Sequence, residues 1–223
     1  RDWRGAAAGL GPAGSPGDIV VAMALDTADG YNAAGVVAPY YLDSAYRVLD
    51  GNHFSMDTAE KLAGQQGHVS ALLLNSKQPV EAHSSHWRVS PYRHGLYTLL
   101  SQDRSIDILA QLTALYELLV PQAEASSAQC DLRQKLAVLY LVGGQYGDAL
   151  DALGNVDPTC ALGVSERERL QTKIDQQLLA EAIESGDAAS ATGIATSLLA
   201  RNPRDEIALD ALTETNLLDL FLA

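Results

Sequence analysis

The sequence predicts an α/β layer followed by an all-α region built from helical hairpins. Over residues 1–102, apolar runs rich in β-branched residues alternate with helical patterns; residues 103–223 carry helical periodicity and an internal repeat. A chain of 223 residues can form one large domain or two small ones. We therefore predict an α/β domain with a mainly parallel sheet at 1–102 and a helical domain at 103–223.

The charge distribution supports this division. The chain carries 28 Asp+Glu and 15 Lys+Arg, a formal net charge of −13. Residues 1–102 hold 9 acidic and 7 basic residues, whereas 103–223 hold 19 and 8. Such acidity argues against nucleic-acid binding, and against attachment to anionic lipid by charge alone. No apolar stretch approaches the ~20 residues that span a bilayer, so we expect no direct membrane insertion.

Helices and strands of the first half follow from apolar spacing and turn-forming residues. Residues 2–10 are predicted to form a short helix, which the Gly- and Pro-rich stretch 11–17 ends. The continuous apolar run 18–25 is typical of a strand buried on both faces. Apolar spacing over 35–49 indicates a helix after Pro39. Asp50-Gly51-Asn52 would end that helix.

A second helix and two more strands complete the predicted α/β layer. Residues 56–66 have the pattern of a short helix, with Asp57 near its start. Residues 69–74 and 95–100 are apolar runs of strand length. This alternation of helices and strands favours a mainly parallel sheet.

Three motifs of the first half resemble a known family of membrane enzymes. They are Asp-Trp-Arg-Gly-Ala-Ala-Ala at 2–8, Pro-Gly-Asp-Ile-Val-Val at 16–21 and Pro-Tyr-Tyr at 39–41. Together they resemble the soluble segment after the last membrane span of polytopic bacterial glycosyltransferases related to dolichyl-phosphate-mannose–protein mannosyltransferases and aminoarabinose transferase. Residues 92–100 are similar to the final strand of that segment, so the resemblance covers about 1–102.

The resemblance implies a non-catalytic extracytoplasmic domain that positions an acceptor or binds a partner. In this family a polyprenyl-phosphate sugar is the donor, and the catalytic acidic residues lie among membrane helices. No catalytic, cofactor-binding or metal-binding residue is therefore carried over, and the fragment alone is predicted to be inactive. It would be periplasmic, tethered to the inner membrane in the full-length protein. Because the chain opens on Arg1, we expect a mature product or a piece of a longer protein. The alternative is a free-standing periplasmic or secreted scaffold.

The second half opens with a helix and continues with a repeat of 42 residues. Residues 105–120 carry a wide apolar stripe that Pro121 ends. The first copy of the repeat contains Leu136, Ala137, Tyr140, Gly144, Tyr146, Ala149 and Leu153, and the second contains Leu178, Leu179, Ala182, Gly186, Ala188, Ala191 and Ala195. Their internal spacing resembles tetratricopeptide repeats, with an extended connection over 158–166 and a terminal helix over 206–222.

Two interpretations of this repeat remain open. As a solenoid it would offer a concave surface to a protein partner. As a plain array of helical hairpins it would bind no ligand, and it could instead pack against the first domain.

The two cysteines, Cys130 and Cys160, are a candidate disulfide. They lie near the ends of two helices that an antiparallel hairpin brings together, and the implied periplasm is oxidising. A bridge would close a loop of 30 residues; such a loop stabilises by about 3–4 kcal/mol. Two unpaired thiols are the alternative.

The remaining candidates favour structural roles. Glu81, His83, His86 and His94 contain a zinc-like spacing, but the surrounding polar residues favour a solvated loop, so no metal is predicted. The carboxylate pairs Asp148/Asp151 and Glu181/Glu184 are predicted to lie on a solvated helix face. Trp3 and Trp87 are predicted to be core or interdomain anchors. No cofactor motif is present in the sequence.

Overall fold

The protein is described from a computed structural model. The residues that the structure describes are 3–10, 18–24, 40–42, 44–74, 87–89, 97–102, 106–123, 126–154 and 164–214.

Seven strands lie in the described residues, six of them before residue 103 and the short last one at the start of the helix predicted over 105–120. They are β1 (Ile19–Ala24), β2 (Arg47–Asp50), β3 (Gln66–Gly67), β4 (Val69–Leu74), β5 (Trp87–Val89), β6 (Tyr97–Gln102) and β7 (Ile106–Asp107).

Eight α-helices lie in the same described ranges, six of them after the last strand. They are α1 (Trp3–Leu10), α2 (Met56–Leu62), α3 (Ile108–Leu119), α4 (Ser126–Val142), α5 (Tyr146–Gly154), α6 (Val164–Glu184), α7 (Ala188–Arg201) and α8 (Glu206–Glu214). An α/β start followed by a helical region is therefore confirmed. No helix of the described ranges is long and apolar enough to cross a membrane.

The main sheet is mixed, which corrects the prediction of a mainly parallel one. Its strand order is β2-β1-β4-β6-β5. Strand β1 pairs in parallel with β2 and β4, whereas β6 pairs antiparallel with both β4 and β5. Seven residues separate β5 from β6, which is too short for the crossover of a dozen or more residues that parallel neighbours need. That half of the sheet is therefore antiparallel.

The helix predicted after Pro39 is wrong: none of the described residues 40–42 and 44–49 is α-helical, and strand β2 forms from Arg47 onward. Arg47 pairs with Ile19 and Val48 with Val20 in the parallel ladder. Tyr46 and Val48 are two residues apart and both pack on the same small core. Apolar positions so close together satisfy a strand as well as a helix, and pairing with β1 decides between them.

Strand β1 is buried on both faces, as the apolar run predicted. Ile19, Val21 and Met23 belong to the largest core, and the alternate residues Val20 and Ala22 belong to a second one. The largest core continues from the sheet through α2, α3 and α4 into α5 and α6. Apolar packing therefore joins the strands to the first helical hairpin across residue 102, where the two-domain division remains a prediction.

The helices after residue 126 form two hairpins, α4–α5 and α6–α7, with the same turn between their members. Gly144 and Gly186 end the first helix of each hairpin, with φ of 75° and 73°. Gly144 N–H donates to Leu141 at 3.2 Å, and Gly186 N–H donates to Ile183 at 3.0 Å. The next residues, Gln145 and Asp187, donate to Tyr140 and Ala182 at 2.8 and 2.9 Å. Both pairs of hydrogen bonds form a Schellman motif. The 42-residue repeat is therefore present in the backbone geometry.

Candidate functional site

A groove opens between helices α6 and α7 of the second hairpin, beside their connecting turn. Its volume is about 670 Å³, within the range of ~300–1,000 Å³ usual for binding clefts. The apolar part of its lining is Leu178, Ala182 and Ile194. Leu178 and Ile194 are half-buried. Leu178 packs against the largest core, whereas Ile194 packs against a separate core formed by α6, α7 and α8. The groove therefore lies where these two cores meet.

The rim of the groove is acidic. Glu181, Glu184 and Asp187 line it and are exposed, and none of the lining residues is basic. Asp187 also caps α7, because it accepts hydrogen bonds from the Ser190 amide at 3.1 Å and the Ser190 hydroxyl at 2.6 Å. These bonds hold the pKa of the Asp187 carboxyl below its usual value, so it is charged at neutral pH. The groove can thus offer an apolar floor and negative charge to a ligand.

A second group of titratable side chains, the polar cluster, comes from α3, α4 and the segment around the end of β2. Its members are Asp50, His53, Tyr116, Asp131 and Lys135, of which only Tyr116 and Lys135 are buried. His53 Nδ1 lies 2.8 Å from the Asp50 carboxylate, and the Tyr116 hydroxyl donates to the Gly51 carbonyl at 2.9 Å. Lys135 is ion-paired with Asp131 one helical turn before it. The Tyr116 hydrogen bond fastens α3 to the turn that follows strand β2, whereas the other two interactions are local.

Burial shifts the pKa values of this cluster in opposite directions. Burial, with Asp131 and Asp50 adding to it, holds the pKa of the Tyr116 hydroxyl well above its usual value. Burial lowers the pKa of Lys135, and the Asp131 and Asp50 carboxylates partly offset this shift. Both groups are more than nine-tenths buried. We interpret the cluster as a structural junction, because its buried Tyr116 joins α3 to the Gly51 carbonyl.

The structure places five of the residues that the sequence singled out for structural roles. Trp87 is buried in the main core, which confirms it as a core anchor. Asp148, Asp151, Glu181 and Glu184 are exposed on their helices, as predicted.

Glu81, His83, His86 and His94 lie outside the described residues, as does the side chain of Trp3. In the part that the structure describes, no group of three or more His, Cys, Asp or Glu side chains could hold a metal ion.

Only one of the two cysteines in the predicted disulfide lies in the described residues. Cys130 lies in α4, is buried, and is not a free thiol. Cys160 lies outside the described residues, so its pairing with Cys130 stays a prediction.

Sequence reasoning missed both the groove and Lys135. Lys135 opens a run of five buried residues that includes Leu136 and Leu139, so a lysine directly before an apolar run was the available signal. For the groove, the available signal was a difference between the two copies of the repeat. Glu181 of the second copy falls at the position that Leu139 occupies in the first.

Comparison with known proteins adds no assignment. No protein-family model matches the chain. No curated protein and no solved structure matches it.

Proposed function

We propose that this chain is a non-catalytic domain that binds a protein partner through its helical hairpins. The observation that carries this proposal is the open groove between α6 and α7, which places half-buried apolar side chains beside exposed carboxylates. Helical-hairpin arrays commonly bind peptides and proteins on such surfaces. The repeated Schellman turns, and the small buried residues Ala149 and Ala191 at matching positions, support a tetratricopeptide-like interpretation of the hairpins.

We further propose that this domain belongs to a membrane glycosyltransferase that uses a polyprenyl-phosphate sugar donor. The support is the resemblance of the opening motifs, together with the presence of an α/β layer before the hairpins. The domain would then be periplasmic, tethered to the inner membrane in the full-length protein. There it would position the acceptor or recruit a partner for catalytic residues carried elsewhere. A free-standing periplasmic scaffold that binds its partner through the same groove is the alternative.

Blocking the groove with a neutral side chain tests partner binding. Ser190 lines the groove and is exposed, so Ser190→Trp places an indole in it without changing charge. Ala200 is exposed on the same helix but does not line the groove, so Ala200→Trp is the matched control. Each variant is purified from its native cells after reversible cross-linking, and the attached proteins are quantified by mass spectrometry. We expect a protein that accompanies the parent chain and Ala200→Trp but not Ser190→Trp. Identical sets for the two variants would contradict the proposal.

A further inference from the structure

The internal repeat allows the two hairpins to be compared position by position. Leu136 and Leu139 of α4 correspond, 42 residues later, to Leu178 and Glu181 of α6. Leu136 and Leu139 are 7% and 0% exposed. Their counterparts are half-buried and exposed, respectively. The same helix face is therefore covered in the first hairpin and open in the second.

In the first hairpin, helices α2 and α3 pack against α4. Helix α4 also packs against its own partner α5. The Tyr140 hydroxyl of α4 donates to the Glu117 carboxylate of α3. Both α2 and α3 present apolar residues to this core, among them Leu62 and Leu112. The face that is open in the second hairpin is thus, in the first, a seat for amphipathic helices.

Charge distinguishes the open face from the covered one. Glu181 replaces a fully buried leucine, and Glu184 stands where the first hairpin has the partly buried Val142. Among the described residues, neither Glu181 nor Glu184 has an ion pair or a side-chain hydrogen bond. A helix seated on this face would therefore lie beside two carboxylates that no cation of the described residues pairs with.

We propose that the groove between α6 and α7 takes an amphipathic helix of a partner protein that carries Lys or Arg beside its apolar residues. This rests on the proposed function and names the chemistry of the partner. The apolar stripe of the helix would cover Leu178 and Ile194, as α2 and α3 cover α4. Its basic residues would pair with Glu181 and Glu184, because charge complementarity favours a cation at each exposed carboxylate.

A designed peptide tests this chemistry directly. The probe is a fluorescently labelled synthetic peptide of about 18 residues, long enough to be helical, with a Leu and Ala stripe flanked by Lys and Arg. A reference peptide has Glu in place of every Lys and Arg. The whole chain is titrated into each and binding is followed by fluorescence anisotropy. We expect the basic peptide to bind, the acidic one not to bind, and the affinity to fall as salt is raised.

Variants locate that binding. Reversing both rim charges in Glu181→Lys/Glu184→Lys is expected to weaken binding of the basic peptide about tenfold, since two modest exposed charge pairs are lost and replaced by repulsion. The matched control is Glu60→Lys/Asp210→Lys, which changes the net charge equally at exposed carboxylates outside the groove. Its affinity should change less than about twofold. Equal losses in the two double variants would mean non-specific attraction to an acidic protein, and would overturn the proposal.

The chain's own carboxyl-terminal residues are the competing occupant. Residues 215–223 are mostly apolar, with one acid and no base, so they lack the charge that would complement the rim. A chain ending at residue 214 should bind the basic peptide with unchanged affinity. Binding that appears only after this truncation would overturn the proposal. If the peptide fails to bind while Ser190→Trp still loses a partner from cells, the proposed function stands and only the basic helix is wrong.

Discussion

Glu181 occupies in the second hairpin the position that Leu139 occupies in the first, and the two differ from exposed to fully buried. The turns that follow them are matched, since the carbonyl of each residue accepts from an amide four residues later, at 2.9 Å in both hairpins. The backbone is thus repeated while the surface is not. The first hairpin shares its apolar core with the strands, whereas the matching face of the second hairpin is exposed and acidic.

Replacing the turn glycine of the second hairpin should destabilise it. Gly186→Ala forces a side chain into the left-handed region at φ 73°, which costs roughly 1–2 kcal/mol. No neighbouring atom would meet the new methyl group, so this backbone cost is the whole effect. The control is Gly193→Ala inside helix α7, which also has open space and should stabilise by roughly 0.5–1 kcal/mol. Urea unfolding measures both, and a Gly186→Ala variant as stable as Gly193→Ala would contradict the turn geometry.

Gly51 is required for a different reason, the lack of space beside β1. A Cβ at this position would lie 2.7 Å from Met23 Cε and 2.9 Å from Val21 Cγ1. Gly51→Ala should therefore lower the free energy of unfolding by about 1–3 kcal/mol, as overpacked cores do. Gly147→Ala in helix α5, where a Cβ meets nothing, is the comparison. If thermal unfolding shows equal stability for the two variants, the packing of this turn on β1 is wrong.

The buried Lys135 should make stability depend on alkaline pH. Because burial lowers its folded pKa below the ordinary value of 10.5, the unfolded chain holds more protons between those two values. The free energy of unfolding should therefore rise with pH through that window and level off above it. Lys135→Met removes the titrating group, while Tyr116 is common to both proteins. Urea unfolding from pH 7 to 10 should give a steeper rise for the parent chain than for Lys135→Met, and parallel curves would contradict the burial of a charged Lys135.

The predicted disulfide can be tested by counting thiols. With Cys130 and Cys160 paired, the denatured chain should show no reactive thiol without reductant and two with it. Reduction should lower stability by about 3–4 kcal/mol, because the bridge closes a loop of 30 residues. The Cys130→Ala/Cys160→Ala variant should unfold like the reduced parent chain in the same reductant. Two thiols titrated without reductant would rule the bridge out.

Much of the fold follows from local sequence signals. Strand β1 can be predicted because its sequence is an unbroken apolar run, without the alternation of apolar and polar residues that a half-exposed strand shows. The structure agrees, since the adjacent residues Val20 and Val21 are both buried. The repeat was recognisable because Gly144 and Gly186 are required by backbone conformation and recur at a fixed interval. Such signals depend on the residues of a single element, and sequence alone contains them.

What could not be predicted depends on contacts distant in the chain. Strand β2 exists because Val48 pairs with Val20, and its own apolar spacing fits a helix equally well. The antiparallel half of the sheet likewise depends on how β6 meets β4. The groove was missed because a glutamate on a helix surface is ordinary until the buried leucine at the matching position is known.

Site-specific photo-cross-linking tests the proposed partner binding most directly. A photoreactive residue replaces Glu184 on the groove rim, or Glu60 on helix α2 as the control, and both positions are exposed. After irradiation of the native cells, adducts of the chain are separated and identified. Partner binding through the hairpins predicts a discrete protein adduct from position 184 that is missing from position 60. No adduct from position 184, or the same adducts from both positions, would contradict it.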